Sequence, residues 1–496
     1  MKYLWRAFSF LFPYVAAILI AGISSCILNS QLLSINSAYQ SDNLPISTQT
    51  AEEGSSTLDP LSYRLYLDVS PSMWGFSEGN GVMPSVAQAM RTVSSSIGSS
   101  RFSYFRFLSQ VEITTETDFI KLMQDSNGIE SRFINEQFLE EEGQSLSDAI
   151  DPNLIFSDSY GGGEGFNVDN NTVNIIITDL NFLKNAEDKD GHTELLERFT
   201  GNIVTYGADG NISIYCISSP HTGLWTDAYA PNSAFSSSSP NSSFFIIILS
   251  RSTTATYDRF IQQWEQALMS AGIYTGSKHV LKNDPAAGLE PLTLDRTVIR
   301  TDSVRNSLNW DNQIFRNLPE NAVGLRVFKE DGEDDSQLAM LQLPVAQITL
   351  PGYASGMEDG ITLEGITTYV KLSQRTLLGW EEYDEISPIR SENAALVSRN
   401  GQWNLSYEMY LDKNAGVPGI LHKCLLADIR FHLTEVHYSV PEWVQTAYDE
   451  RLSSLELETE LVSFFERVNS AKEMYYQNMS DLERGYLGNL LLYINY

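Results

Sequence analysis

Short apolar runs of strand length alternate with segments of helical periodicity between residues 60 and 275. The apolar, β-prone runs lie at residues 63–67, 101–108, 173–177, 213–217 and 244–249. After the first run, a helical spacing of apolar residues begins at Pro84. A second stretch with helical spacing covers residues 256–271. Because strands that alternate with helices usually pair in parallel, we expect an α/β domain. Its sheet is predicted to be mostly parallel and doubly wound, with helices flanking both faces.

Two stretches inside this region lack apolar periodicity. Residues 159–171 contain four glycines but not the Gly-Lys-Ser/Thr ending of a phosphate-binding loop. Residues 220–243 are rich in Ser, Asn and Pro. We predict both stretches to be surface loops.

The second half of the 496-residue chain has a different character. Residues 290–440 contain short β-prone runs separated by polar turns, which predicts an antiparallel, sandwich-like all-β domain. Residues 441–496 are predicted to form a C-terminal helical segment, in which residues 490–494 add a strand that completes a sheet. The apolar stripe of the predicted helix consists of Leu461, Phe464, Phe465, Val468 and Met474.

The amino terminus has the order of an export signal. Lys2 and Arg6 precede an apolar run at residues 8–23, and the sequence Ile-Ser-Ser-Cys ends at Cys26. Residues 1–25 therefore resemble a bacterial lipoprotein signal peptide, which implies that Cys26 carries the lipid. An uncleaved transmembrane anchor and an ordinary signal peptide fit the segment as well. All three place the chain outside the cytoplasm, and residues 26–59, rich in Ser, Asn, Gln and Thr, are predicted to be a flexible tether.

Charge and cysteine content argue against a nucleic-acid-binding protein and against a structural zinc site. The formal net charge of −31, with no cluster of Lys and Arg, argues against a nucleic-acid partner. The three cysteines form no Cys-x-x-Cys pair, so a structural zinc site is not expected. If Cys26 carries a lipid, Cys216 and Cys424 fit either one disulfide or two free thiols.

Oxygen-bearing side chains follow two of the predicted strands. Asp68, Ser70 and Ser72 come after the run at residues 63–67, and Asp179 comes after the run at residues 173–177. In open α/β sheets, ligands bind at the carboxyl ends of the strands. Carboxylates and hydroxyls are hard oxygen ligands that suit Mg²⁺ or Mn²⁺, with Ca²⁺ as a further candidate, and do not suit zinc or copper. The pattern indicates a divalent metal site.

The Asp-x-Ser-x-Ser pattern at residues 68–72 resembles the signature of the von Willebrand factor A (vWA) family, whose domains carry a metal-ion-dependent adhesion site. The Thr178-Asp179 pair matches the Thr-Asp pair that often ends the fourth strand of that family. The resemblance covers about residues 60–275. It implies that Ser70 and Ser72 bind the metal directly, that Asp68 and Asp179 act largely through water, and that a partner's carboxylate completes the octahedron.

One position departs from the family pattern. The family supplies a threonine within Gly-Gly-Thr-Pro-Leu-x-Asp-Ala-Leu, and the corresponding stretch here is residues 142–150. Gln144 stands at the threonine position, and Ser145 follows one residue later. Ser145 is therefore the candidate for the remaining protein ligand.

Three functions fit these patterns. The first is an extracytoplasmic, membrane-anchored binding protein that uses the metal to hold an acidic group of a protein or glycan partner. Gln144 favours the second, a structural component of a surface complex with a vestigial metal site. The third is a metal-dependent hydrolase or phosphatase. However, haloacid-dehalogenase phosphatases have a second aspartate where Ser70 stands, so we do not expect an enzyme.

Overall fold

The fold comes from a computed structural model that describes most of the chain beyond residue 60. The described residues are 61–107, 111–124, 152–157, 166, 169–180, 182, 191–227, 230–285, 308–309, 322–327, 338–348, 361–375, 380–383, 389–399, 402–412, 424–446, 455–479 and 485–495. Cys26, Gln144 and Ser145 lie outside these ranges, as do the predicted tether and most of the predicted loop at residues 159–171. Within the ranges, no helix has the length and apolar character needed to cross a bilayer.

A seven-stranded sheet dominates the first part of the chain. Its strands are β1 (Ser62–Asp68), β2 (Phe102–Phe107), β3 (Val111–Thr114), β4 (Thr172–Thr178), β5 (Asn211–Asp227), β6 (Ala230–Ser250) and β7 (Lys278–Leu281). They lie in the order β3-β2-β1-β4-β6-β5-β7. Strand β1 pairs in parallel with β2 and β4, whereas the other neighbouring pairs are antiparallel. The sheet is therefore mixed, and the predicted parallel arrangement is found only at its centre.

The main source of the antiparallel pairs is the β5–β6 hairpin. The prediction of a surface loop at residues 220–243 is wrong, because most of this stretch continues the two strands. The apolar halves of β5 and β6 set the register, with Ile214 opposite Ile247. The Ser-rich halves then extend the same ladder, with Ser219 opposite Ser242. Pairing with an already ordered neighbour thus overrides the weak intrinsic β preference of serine.

Helices cover the sheet. They are α1 (Pro71–Trp74), α2 (Met83–Ile97), α3 (Glu116–Gln124), α4 (Gly191–Gly207) and α5 (Thr254–Ser270). Pro84 lies in the first turn of α2, as predicted, and Thr253 caps α5 by accepting a hydrogen bond from the Thr256 amide. Helices α2 and α5 pack against each other. The ring of Phe260 in α5 lies 5.0 Å from that of Tyr63 in β1, so α5 also packs on the sheet.

All seven residues of β4 are buried, as expected for a strand in the middle of a covered sheet. Cys216 in β5 is also buried and forms no disulfide. Burial raises the pKa of its thiol to about 11, so this cysteine packs as an apolar residue.

Two further sheets form the second part of the chain. Their strands are β8 (Leu308–Asn309), β9 (Ala322–Val327), β10 (Leu338–Ile348), β11 (Ile361–Arg375), β12 (Trp380–Glu382), β13 (Ile389–Arg399), β14 (Gln402–Asp412), β15 (Cys424–Tyr438) and β16 (Tyr486–Asn495). One sheet has the order β10-β14-β13, and the other has the order β12-β11-β15-β16-β9-β8. All described pairs are antiparallel except β16 with β9. The predicted terminal strand is β16, and it lies inside its sheet between β15 and β9.

Two helices lie between β15 and β16 in the chain: α6 (Glu442–Thr446) and α7 (Leu455–Asn478). Helix α7 packs against α4 and β15. Its buried residues Leu461, Phe464, Phe465 and Val468 belong to the same apolar core as the first sheet. The predicted stripe is confirmed for these four residues. It is wrong for Met474, which is 61% exposed, because the buried face of α7 continues from Val468 through Lys472 and Tyr476 and leaves Met474 on another face of the helix.

Candidate metal centre

The candidate metal residues lie at the ends of two adjacent strands. Asp68 is the last residue of β1, and Asp179 follows Thr178, the last residue of β4. The chain passes from β1 to β2 on one side and later returns to β4 on the other side of β1. The strand order therefore reverses between β1 and β4. In open α/β sheets, this switch point is where ligands bind.

The Asp68 carboxylate is fixed by hydrogen bonds to both of its oxygens. The backbone amide of Ser70 donates to Oδ1 at 2.9 Å, and the hydroxyl of Thr178 donates to Oδ2 at 2.8 Å. The side chain is only 1% exposed. The amide of Leu180 donates in turn to Thr178 Oγ1 at 3.1 Å. Asp68 thus ties the loop after β1 to the loop after β4.

Ser70 and Ser72 place two hydroxyl oxygens side by side. Ser70 precedes α1, Pro71 occupies its first turn, and the two Oγ atoms lie 3.1 Å apart. Both serines are buried. In an octahedral Mg²⁺ site with metal–oxygen distances near 2.1 Å, adjacent ligands lie about 3 Å apart. The two hydroxyls therefore have the spacing of neighbouring ligands on one ion.

Asp68 and Asp179 place negative charge close together in a poorly solvated setting. Burial raises the pKa of Asp68 to about 7, and the charge of Asp179 acts in the same direction. The hydrogen bonds from Ser70 and Thr178 lower the pKa and only partly offset this rise. A cation between the two strand ends would reverse the effect, because it favours both carboxylates in their charged form.

The backbone directly after Asp179 is strained. Leu180 has φ 58°, and it is the one non-glycine residue with positive φ in the described part of the chain. For a bulky residue this left-handed conformation costs on the order of 1–3 kcal/mol, and such outliers persist where the surrounding structure holds them. Here the Leu180 side chain is buried, and its backbone amide donates a hydrogen bond to Thr178 Oγ1. Both contacts hold the turn that sets the position of Asp179.

The β5–β6 hairpin supports the loop that carries the two serines. The amide of Val82 donates to Ser219 Oγ at 3.0 Å, and the amide of Thr222 donates to the Gly75 carbonyl at 3.0 Å. His221 Nε2 lies 2.8 Å from the carbonyl oxygen of Ser72. No local motif marks these residues in the sequence, because His221 lies 149 positions from Ser72.

Four of the five predicted metal residues are described, namely Asp68, Ser70, Ser72 and Asp179. The fifth, Ser145, lies outside the described residues together with Gln144. Whether Ser145 reaches the metal stays a prediction.

A second group of possible ligands lies far along the chain, on β11 and β15. Glu364, Glu435 and His437 are exposed, and one ligand atom from each lies within 4.8 Å of the others. Glu364 and Glu435 face each other across the two strands. Exposed acidic groups of this kind are common without an ion, and the group lacks the buried hydroxyls and fixed carboxylate of the site at β1 and β4.

Comparisons with known proteins found no relative. No protein-family model matches the sequence, no curated protein gives a significant match, and no solved structure gives one either.

Proposed function

We propose that this chain is an extracytoplasmic, membrane-anchored binding protein with a vWA-like α/β domain. Its site holds Mg²⁺ or Mn²⁺, with Ca²⁺ as a further candidate, and the ion binds an acidic group of a protein or glycan partner. The proposal rests chiefly on one observation. Asp68, Ser70, Ser72 and Asp179 gather at the switch point of the sheet, with the Ser70 and Ser72 hydroxyls 3.1 Å apart.

The donor chemistry fits a hard divalent ion. Ser70 and Ser72 offer neutral oxygens, while Asp68 and Asp179 offer the charge that a dication needs. Both Asp68 oxygens already accept hydrogen bonds from the protein, which suits a carboxylate that acts on the ion through water. A site with few direct protein ligands leaves coordination positions for a partner's carboxylate.

The arrangement gives little support to a hydrolase or phosphatase. Asp68 is the one candidate nucleophile identified in the sequence, and it is buried with both oxygens engaged in hydrogen bonds. A nucleophile needs an oxygen that can approach the substrate. We therefore propose a binding role and not a catalytic one.

A structural component of a surface complex is the second candidate. The observation that favours it is Gln144 at the position where the family supplies a ligand threonine. In that case the loops at β1 and β4 would hold their shape by hydrogen bonds alone, and removal of divalent ions would change neither stability nor association.

Membrane anchoring is a separate part of the proposal, and it depends on Cys26. Metabolic labelling with a radioactive fatty acid tests it in cells that express the wild-type chain or a Cys26→Ser variant. Label on the wild type and none on the variant supports the lipid anchor. Membrane retention of an unlabelled wild-type chain would indicate an uncleaved transmembrane anchor instead.

Titration calorimetry of Mg²⁺ and Mn²⁺ into the full-length protein tests the metal site. We expect one site per chain in the wild type and no binding to Asp68→Asn, whose fold is checked by circular dichroism. Glu364→Gln is the matched control, because it neutralises a carboxylate of the exposed group on β11 and should leave the affinity unchanged. Loss of binding in Glu364→Gln but not in Asp68→Asn would place the ion at the other group and overturn the proposal.

A further inference from the structure

Helix α1, which carries Ser72, is too short to hold its own shape. It has four residues, and Ser70 at its amino end makes no side-chain capping hydrogen bond. A single helical turn is unfavourable in isolation, because few hydrogen bonds offset the loss of backbone freedom. The position of Ser72 must therefore be set by contacts from elsewhere in the protein.

His221 on β5 supplies such a contact to Ser72. Its Nε2 lies 2.8 Å from the Ser72 carbonyl oxygen, which can only accept, so Nε2 carries the proton and donates. The His221 ring is fully buried. It also meets the ring of Phe76 edge-on at 4.9 Å, and Phe76 packs at 5.1 Å on Phe244 of β6. The hairpin thus holds the peptide of Ser72 from one side.

Gly75 shows how closely this imidazole fits the loop. A Cβ atom at Gly75 would lie 2.0 Å from His221 Nε2, which is a clash. The backbone of Gly75 has φ −58°, a helical value that any residue adopts. The absence of a side chain at Gly75 therefore serves the approach of the His221 ring and is not needed for the backbone conformation.

We infer that His221 is a positioning residue of the metal site. By donating to the Ser72 carbonyl, it holds α1 so that the Ser72 hydroxyl stays beside that of Ser70. This inference rests on the proposed function for the identity of the ion, and it adds a role for the β5–β6 hairpin in that function. His221 Nε2 is directed at the carbonyl, so this atom is not a ligand of the ion.

Two substitutions at His221 separate a hydrogen bond from simple packing. Leucine at this position fills the space but removes the donor, whereas glutamine retains an N–H donor. In the full-length protein, we expect His221→Leu to weaken Mn²⁺ binding roughly tenfold, the size of one lost hydrogen bond. His221→Gln should stay within about threefold of the wild type. Gly75→Ala should behave like His221→Leu, because its methyl group displaces the ring.

Hydrogen–deuterium exchange of residues 70–77 provides a readout that does not depend on the metal. Exchange should rise in His221→Leu and Gly75→Ala and return towards the wild-type rate in His221→Gln. The matched control is His279→Leu, the same change at a second buried histidine. It should leave exchange in residues 70–77 and Mn²⁺ affinity unchanged, even if it lowers the melting temperature.

The outcomes separate this inference from the proposed function. If the wild type binds Mn²⁺ and His221→Leu binds it equally well, the metal site stands and the role of His221 is overturned. If the wild type binds no Mn²⁺, the proposed metal site has failed, and His221 is then only a structural residue of the loop. If His279→Leu weakens binding as much as His221→Leu, the effect is general destabilisation, which also overturns the inference.

Discussion

At the scale of single residues, Asp68 is the link between structure and proposed chemistry. It joins the loops after β1 and β4 through Ser70 and Thr178 while it lies beside another carboxylate. Buried carboxylates with a raised pKa are often found at sites that bind a cation or carry out a reaction. The hydroxyls next to Asp68 favour the cation.

The raised pKa of Asp68 predicts how metal affinity depends on pH. At pH 6 the Asp68 carboxyl, with its pKa near 7, is mostly protonated, so a binding cation must displace a proton. At pH 8 the carboxyl is already charged. We expect Mg²⁺ affinity to be roughly tenfold weaker at pH 6 than at pH 8. Calorimetry in buffers of different ionisation enthalpy should detect proton release at pH 6. Equal affinity at the two pH values would contradict a raised pKa of Asp68 in the metal-free site.

The sequence predicted the site only where its residues lie in local motifs. Asp68, Ser70 and Ser72 share one loop, and Asp179 follows a second apolar run. The rule that ligands bind at the carboxyl ends of strands is therefore enough to group them. The partner of Asp68 is Thr178, which lies 110 positions away, and His221 lies further still from Ser72. A contact of this kind depends on strand order. The order β4-β6-β5 was not predictable while the Ser-rich stretch was taken for a loop.

At the scale of elements, the most informative contact is between α7 and the end of α4. The buried Lys472 on α7 donates through Nζ to the carbonyl of Ala208 at 3.0 Å and also to that of Gly210. Carbonyls at a helix carboxyl end lack helical partners and attract a cation. Burial lowers the pKa of Lys472 to about 7, and the nearby Asp209 opposes this. Lys472 thus caps the turn that directly follows α4 and ties it to α7.

Removing this cap should destabilise the protein. Lys472→Met keeps the length and apolar stem of the side chain but leaves the two carbonyls without their donor. We expect the free energy of unfolding to fall by about 2 kcal/mol, measured by urea denaturation at pH 7. Met474→Ala on the same helix is the control and should stay within about 0.5 kcal/mol of the wild type, because Met474 is exposed. A variant at Lys472 as stable as the wild type would show that burying the ammonium costs as much as its hydrogen bonds contribute.

At the scale of the whole molecule, the C-terminal helix is part of the core of the first sheet. The proposed vWA-like domain spans residues 60–275, but Leu461, Phe464, Phe465 and Val468 lie in the same buried cluster as its sheet. The sequence predicted the helix from its periodicity. It did not predict where the helix packs, because an apolar stripe does not specify its partner. Experiments on the metal site therefore need the full chain.

The contact between His279 of β7 and Asn469 of α7 should make the stability of the fold sensitive to acid. His279 Nε2 lies 2.7 Å from Asn469 Oδ1, and burial lowers the pKa of His279 from 6.5 to about 4. The folded protein therefore holds this proton less tightly than the unfolded chain does. The stability from neutral His279 is present above pH 6.5 and is lost as the pH falls from 6.5 towards 4.

We expect the wild type to lose about 2 kcal/mol of stability from this residue between pH 7 and pH 5. His279→Gln keeps an N–H donor for Asn469 but does not titrate. The variant should therefore lose about 2 kcal/mol less stability than the wild type between pH 7 and pH 5. Urea denaturation of both proteins at pH 7 and pH 5 measures the difference. Equal losses would mean that His279 is protonated in the folded state or that α7 leaves its position before the rest unfolds.

The central claim is that one divalent ion binds at the ends of β1 and β4. The most direct measurement is the anomalous scattering of Mn²⁺ in crystals of the full-length protein. We expect a peak about 2.2 Å from both the Ser70 and the Ser72 hydroxyl oxygens, with Asp68 and Asp179 nearby. No peak at these serines, or a peak only at Glu364, Glu435 and His437, would contradict the claim.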